Sequence, residues 1–176
     1  MRISPSSLIP SFLLGLMAAC AAPIPAPQPW PLRPDPVGQI GGERLADLLH
    51  LSLDLELDHG AREVRGVASS WFRALRDGTS ELLLHGVGLE ILEVHDAAGE
   101  ALVFEVQEPQ IRITLARPLA KGEEEVLHVR YRAQPERGLY FRDETRFSEN
   151  FAPSLFTQGQ KHNHRHWVPL WDEPND

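Results

Sequence analysis

The amino-acid sequence predicts an all-β sandwich, and three observations carry that expectation. A strict apolar-polar alternation opens the regular part of the chain, seven short strand-like runs follow one another with turn residues between them, and no long helical periodicity competes. The 176 residues, 42% hydrophobic and 24% charged, suit one globular domain and exclude collagen-like, coiled-coil and polytopic membrane chains. Seventeen Lys and Arg against 25 Asp and Glu give a net charge of -8, so there is no basic footprint for phosphates and nucleic acid is not an expected partner. With Cys20 as the one cysteine, neither a disulfide framework nor a cysteine zinc site can be built within the chain.

The first 19 residues read as a secretory signal peptide. Arg2 supplies a positive start, and residues 8–19 form an apolar stretch, broken by Pro10 and Ser11 and closing on Ala18-Ala19, too short to span a bilayer as a permanent helix. Leu16-Met17-Ala18-Ala19-Cys20 resembles a bacterial lipobox, which implies lipidation of Cys20 and an exported protein anchored by lipid to a membrane of the cell envelope; the other reading is a secreted protein cut at a nearby Ala-x-Ala-like site. Seven prolines fall between Pro23 and Pro36, so residues 20–40 read as an extended, semi-rigid tether that lifts a soluble domain off the membrane.

The domain itself is expected over residues 41–176. A short helical turn at 43–48 precedes a strand in which Leu49, Leu51, Leu53, Leu55 and Leu57 share one face, with His50, Ser52, Asp54, Glu56 and Asp58 on the other. Asp58-His59-Gly60 supplies a turn, residues 63–75 return as a hairpin partner, and Gly66 is a candidate bulge. Further strands are expected at 82–85, 89–95, 102–106, 111–115 and 125–131, separated by Asp96-Ala97-Ala98-Gly99, Glu108-Pro109 and Pro118-Leu119-Ala120-Lys121-Gly122. His50, His59, His85, His95 and His128 stand singly and read as solvated or hydrogen-bonded side chains. The acidic run Glu123-Glu124-Glu125 reads as a solvated strand entry, and no carboxylate pair for glycoside chemistry stands out from the other acids.

The chemistry gathers at the C-terminal end, where Phe141, Phe147, Phe151, Phe156, Trp167 and Trp171 also collect. In residues 157–176, His162, His164 and His166 at alternate positions would share one strand face, and three imidazoles on one face can bind zinc or copper. The plainer reading is a polar stretch interleaved with Lys161, Asn163 and Arg165.

Thr157-Gln158-x-Gln160, then Arg165, Pro169, Asp172 and Pro174, in register without gaps, resembles the end of the N-terminal domain in the aminopeptidase N family of zinc metallopeptidases, which includes leukotriene hydrolase-like enzymes. Upstream, residues 49–57 resemble the opening strand of that domain, Arg65-Gly66-Val67-Ala68 its hairpin partner, Pro118 to Glu123 its proline-leucine turn and Gly138-Leu139-Tyr140-Phe141 its Gly-Leu-Tyr stretch. The resemblance implies a saddle-like β-sandwich that docks on a catalytic zinc domain and supplies one wall of its active site. By the same resemblance, Gln158 lines the pocket for the first side chain of a substrate peptide, and Gln160 helps hold the free α-amino group through its amide oxygen. Arg165 and Asp172 then fix the loop by charge-assisted hydrogen bonds, and Pro169 and Pro174 stiffen it.

The family's catalysis needs His-Glu-x-x-His and a Gly-x-Met-Glu-Asn loop. No histidine here is followed by Glu, and the methionines are Met1 and Met17. The expectation is therefore an exported substrate-binding and docking domain whose zinc belongs to a partner domain, in the same reading frame or on a separate chain, and which is inactive by itself. A sandwich ending at Asp176 is also expected to be incomplete at its C-terminal edge and poorly soluble alone. The alternative function is a non-enzymatic cell-envelope lipoprotein with a β-sandwich binding module, His162, His164 and His166 then forming an optional metal site.

Overall fold

The alternation of residues 46–58 folds as the first and longest strand of the computed structural model, which describes residues 44–143 and 153–173. Strand β1 (Ala46–Asp58) pairs antiparallel with β2 (Glu63–Ala74), β2 with β7 (Glu124–Ala133) and β7 with β4 (Leu89–His95), giving a four-stranded sheet in the order β1-β2-β7-β4. A second sheet has the order β3-β6-β5, from β3 (Thr79–His85), β5 (Val103–Gln107) and β6 (Gln110–Leu119). The hairpin of β8 (Leu139–Arg142) and β9 (Ser154–Thr157) makes a third, two-stranded sheet, and a short 3-10 helix covers His164–His166. Cys20, the proline-rich tether, Phe147, Phe151 and Pro174 lie outside the described residues.

One face of the four-stranded sheet carries the core, and it has two covers. At one end Phe72, Ala74, Val94, Leu127 and Val129 meet Leu82, Leu84, Ile111, Ile113 and Leu115 of the β3-β6-β5 sheet, all buried. At the other end Val64, Ala68, Leu89, Tyr131 and Ala133 are covered by Leu139 of β8 and by Val168, with Trp167 and Leu170 packed alongside. Residues near the C-terminus are thus part of the hydrophobic core. Burial pushes the Tyr131 phenol up in pKa, and its hydroxyl has no hydrogen-bond partner among the described residues.

The opposite face of the same sheet is laced by cross-strand ion pairs, Arg65 with Glu56, Arg73 with Glu124, Arg130 with Glu93 and Arg132 with Glu90. Exposed pairs of this kind contribute little stability each, but they keep a charged face compatible with sheet pairing.

Several expectations shift. Ala46 to Leu48 are already strand, not a helical turn, because they pair with Ala74, Arg73 and Phe72. The bulge falls between Leu48 and His50 in β1, not at Gly66, which stays in register opposite Leu55. Gly66 is instead a point of close approach, since a Cβ there would lie 2.0 Å from the Asp54 carbonyl oxygen. Pro118 sits inside β6, not in the turn. Beyond Thr114 no residue of β5 pairs with β6, so the missing amide donor of Pro118 costs the ladder nothing. The turn itself is closed by Glu123, which accepts from the Ala120 amide and pairs with Arg117; these contacts pull its pKa down to about 2. Strands β8 and β9 are not among the seven runs expected from sequence.

The two-cover arrangement places stability at particular residues. Ile113→Ala, a fully buried site between the sheets, should lower the unfolding free energy by about 2–5 kcal/mol in urea titration. Val103→Ala, at a side chain 72% exposed, should change it by no more than about 0.5 kcal/mol.

Candidate functional site

The β8-β9 hairpin delivers the glutamines. Leu139 pairs with Thr157, and the Gln158 amide continues the ladder by donating to the Gly138 carbonyl at 2.8 Å. Beyond that point Gln158 is exposed, Gly159 is half-buried and Gln160 is exposed again. Gly159 faces inward because the ring of His164 occupies the space a side chain would need: a Cβ would sit 1.7 Å from His164 Nε2. Lys161 then takes a left-handed conformation at φ 63°, uncommon for a residue with a Cβ, and carries the chain into the turn before the 3-10 helix.

The base of this turn is tied down from three sides. Gly138, at φ 80°, lies directly beneath it, and a Cβ there would meet the Asn163 carbonyl oxygen at 2.1 Å. Arg165, whose side chain is 12% exposed, reaches Asp172, whose side chain is 9% exposed: Nε donates to Oδ2 at 3.1 Å and Nη2 to the Asp172 carbonyl at 2.8 Å, with Glu173 Oε1 3.3 Å from Nη2. The Arg165 amide also faces Asp172 Oδ2 at 3.3 Å, and the Arg165 carbonyl accepts from Val87 at 2.8 Å. The third tie is an antiparallel bridge in which His85 donates its amide to the Leu170 carbonyl at 2.7 Å and Leu170 donates to the His85 carbonyl at 3.2 Å. Pro169 lies buried between Val168 and Leu170. Its neighbours' amides are both bonded, to His164 and His85, and its own lacking donor needs no partner.

His85 is the residue that sequence reasoning set aside and the structure brings in. It is 5% exposed, packs against the Trp171 ring at 5.1 Å between centroids, accepts from the Asp172 amide at Nδ1 (3.2 Å) and places Nε2 3.5 Å from Glu173 Oε1. Burial holds its pKa below the ordinary imidazole value, and the Arg165 guanidinium acts in the same sense; Glu173 and Asp172 oppose them less strongly. No local signal in the sequence marks it, because its partners lie more than 80 residues away.

The three closing histidines do not share a strand face. His162 belongs to the turn, while His164 and His166 lie in the 3-10 helix, whose turn of about three residues rotates alternate side chains apart. His162 Nδ1 lies 2.7 Å from the Asp172 carbonyl and 2.9 Å from Arg165 Nη2. A carbonyl only accepts and a guanidinium only donates, so one contact alone is a hydrogen bond; the Nδ1–H tautomer satisfies the carbonyl and leaves Arg165 to the carboxylates. His164 backs Gly159, and His166 lines a cavity of about 350 Å³ with Val87, Gly88, Gln134, Pro135, Glu136 and Arg137. Burial, then Arg137 and Arg165, lowers the pKa of His166. Among the described residues no three of His, Cys, Asp and Glu stand together as a metal site.

What the site amounts to is a pair of outward amides on a turn locked to an all-β sandwich. Its class is that of the N-terminal domains of zinc metallopeptidases. The model of the Peptidase M1 N-terminal domain family matches residues 47–176, and the chain belongs to that family. Solved structures agree in fold. The M1 zinc metallopeptidase from Deinococcus radiodurans aligns at 22% identity and TM-score 0.61, over 77% of this chain and 31% of its own. A mutant of a two-domain M1 zinc metallopeptidase bound to L-arginine aligns at 23% identity and TM-score 0.62 over the same shares. Native leukotriene A4 hydrolase from Saccharomyces cerevisiae aligns at 21% identity and TM-score 0.64, over 81% of this chain and 24% of its own. The chain therefore spans about a third or less of the length of these relatives. No curated protein matches the sequence.

The packing of Gly159 on His164 is testable by a double-mutant cycle. Gly159→Ala should destabilise the protein by about 1–3 kcal/mol, and adding His164→Ala should recover most of that loss in thermal unfolding. Gly138→Ala, which clashes with backbone and takes a positive φ, should show no such recovery.

Proposed function

We propose that this chain is the substrate-binding and docking domain of an aminopeptidase N-like zinc metallopeptidase, acting with a catalytic domain that holds the zinc. The observation that carries the reading is the order exposed, inward, exposed over Gln158, Gly159 and Gln160, on a turn fastened by Arg165, Asp172 and the bridge to His85. An exopeptidase must recognise a free peptide amino terminus, an ammonium with three N–H donors. The Gln160 amide oxygen can accept one of them, more weakly than a carboxylate would, so further acceptors come from the partner domain. Gln158, one alternation earlier, stands beside the first side chain of the peptide. In this reading polarising the scissile carbonyl and activating water fall to the partner. If the domain is supplied with a catalytic half in trans, hydrolysis of aminoacyl arylamides should appear, and Gln160→Ala should lower kcat/KM about tenfold. Unchanged rates would remove the role given to Gln160.

The same proposal extends to location. The apolar residues 8–19, Cys20 and the prolines that follow support export with a lipid on Cys20 and a spacer between membrane and sandwich. Cys20→Ala should then abolish incorporation of labelled fatty acid and move the protein from the membrane fraction to the soluble one. Labelling that survives the substitution would end the anchor reading.

A further inference from the structure

We propose that His85 is a positioning residue that latches the glutamine-bearing segment to the sandwich, and that it does so only while its imidazole is uncharged. The argument begins with proton placement. The Asp172 amide can only donate, so Nδ1 of His85, 3.2 Å away, must present a lone pair. The single ring proton is therefore on Nε2, which lies 3.5 Å from Glu173 Oε1. Both ring nitrogens are thus assigned, and both face the closing segment. The backbone of the same residue forms the bridge to Leu170, so side chain and main chain of His85 hold residues 170–173 together.

A second proton on the ring has one place to go, Nδ1, and there it sets N–H against N–H. The Asp172 amide loses its acceptor inside a part-buried contact, which removes the bond and leaves a donor facing a donor. The new positive charge also lies close to Arg165. The charged and titratable groups that reach His85 come from the closing segment: Arg165 and His162 disfavour the cation, Glu173 and Asp172 favour it. From β6 its register partner is the uncharged Gln110, from β2 and β3 the corner around Trp171 is apolar, and the residues that follow His85 are Gly86, Val87 and Gly88. The two carboxylates do not rescue the cation, because Arg165 already engages both. Opening the segment hydrates the imidazolium and releases the conflict.

The sign follows from the lowered pKa of the docked form. Above the ordinary value of 6.5 the latch is fully present. As pH falls from there through the lowered value, protonation favours the open form, and below it no further loss occurs. The consequence for substrate binding rests on the reading of Gln158 and Gln160 given above, but the latch itself does not.

Hydrogen exchange on the full chain tests it without substrate, so failure of the glutamine roles leaves this result intact and the reverse also holds. Between about pH 7 and about pH 5, after correction for intrinsic exchange, the opening constant read from the Leu170 and Asp172 amides should rise by up to about tenfold per pH unit. Amides of Leu127 and Val129 in β7 should not follow. His85→Asn keeps an acceptor near the position of Nδ1 and cannot titrate, so its exchange should be flat across that range. Equal slopes in the wild type and His85→Asn, or a wild-type slope no different from that of β7, would overturn the latch. Nitrogen chemical shifts of the wild-type imidazole give a second reading that needs no variant: at neutral pH they should report the Nε2–H tautomer, and an Nδ1–H tautomer would sink the proposal.

Discussion

The antiparallel bridge between His85 and Leu170 is the contact on which the rest of the site depends. It is only two backbone hydrogen bonds, yet it sets the depth at which Val168 and Trp171 enter the core and the height at which Arg165 meets Asp172. Without it the second cover over Val64, Ala68 and Tyr131 would lose its inner edge. Apolar burial supplies the driving force for docking residues 164–172, and the directional bonds choose the register. The chain that exposes Gln158 and Gln160 thus goes on, within ten residues, to close the sandwich with Val168 and Leu170.

The sequence was most readable where one period governs one face. In β1 the alternation holds from Leu51 to Leu57, whose leucines stand opposite Ser70, Ala68, Gly66 and Val64, with Leu51 and Leu55 half-buried against the second cluster; Leu49 departs from it, because at the bulge Leu48 takes the core side opposite Phe72. The alternation could not tell that Leu53 and Leu57 stay more than a third exposed, because cover is a property of the opposing layer and not of the strand. Nor could it place the bulge at Leu48 and His50, which follows from pairing with β2. The hairpin β8-β9 escaped notice because each strand has four residues and the two are far apart in the chain. A period-two signal needs more length than that to stand out.

The site divides in the same way. Gln158, Gln160, Arg165, Pro169 and Asp172 were legible as a linear motif, and the structure places the glutamines outward and joins Arg165 to Asp172. His85 was not legible, since its significance arises only when β3 comes beside the closing segment. The alternate histidines gave the opposite lesson. Spacing of two means a shared face only on an extended chain, and the left-handed Lys161 followed by a 3-10 turn removes that premise. Gly138 and Gly159 were visible as glycines, but the need for them appears only against Asn163 and His164.

The distribution of indoles adds an optical property to this architecture. Of the tryptophans within the described residues, Trp71 lies on the ion-paired face beside His50, while Trp167 and Trp171 both belong to the closing segment, one near His164 and the other against His85. The Nε1 groups of Trp167 and Trp171 are buried without acceptors among the described residues. Two of the three described indoles thus sit C-terminal to the amide pair in the closing segment, each next to an imidazole. Among the described residues the indoles are thus concentrated in the closing segment, and the polypeptide carries its own label there.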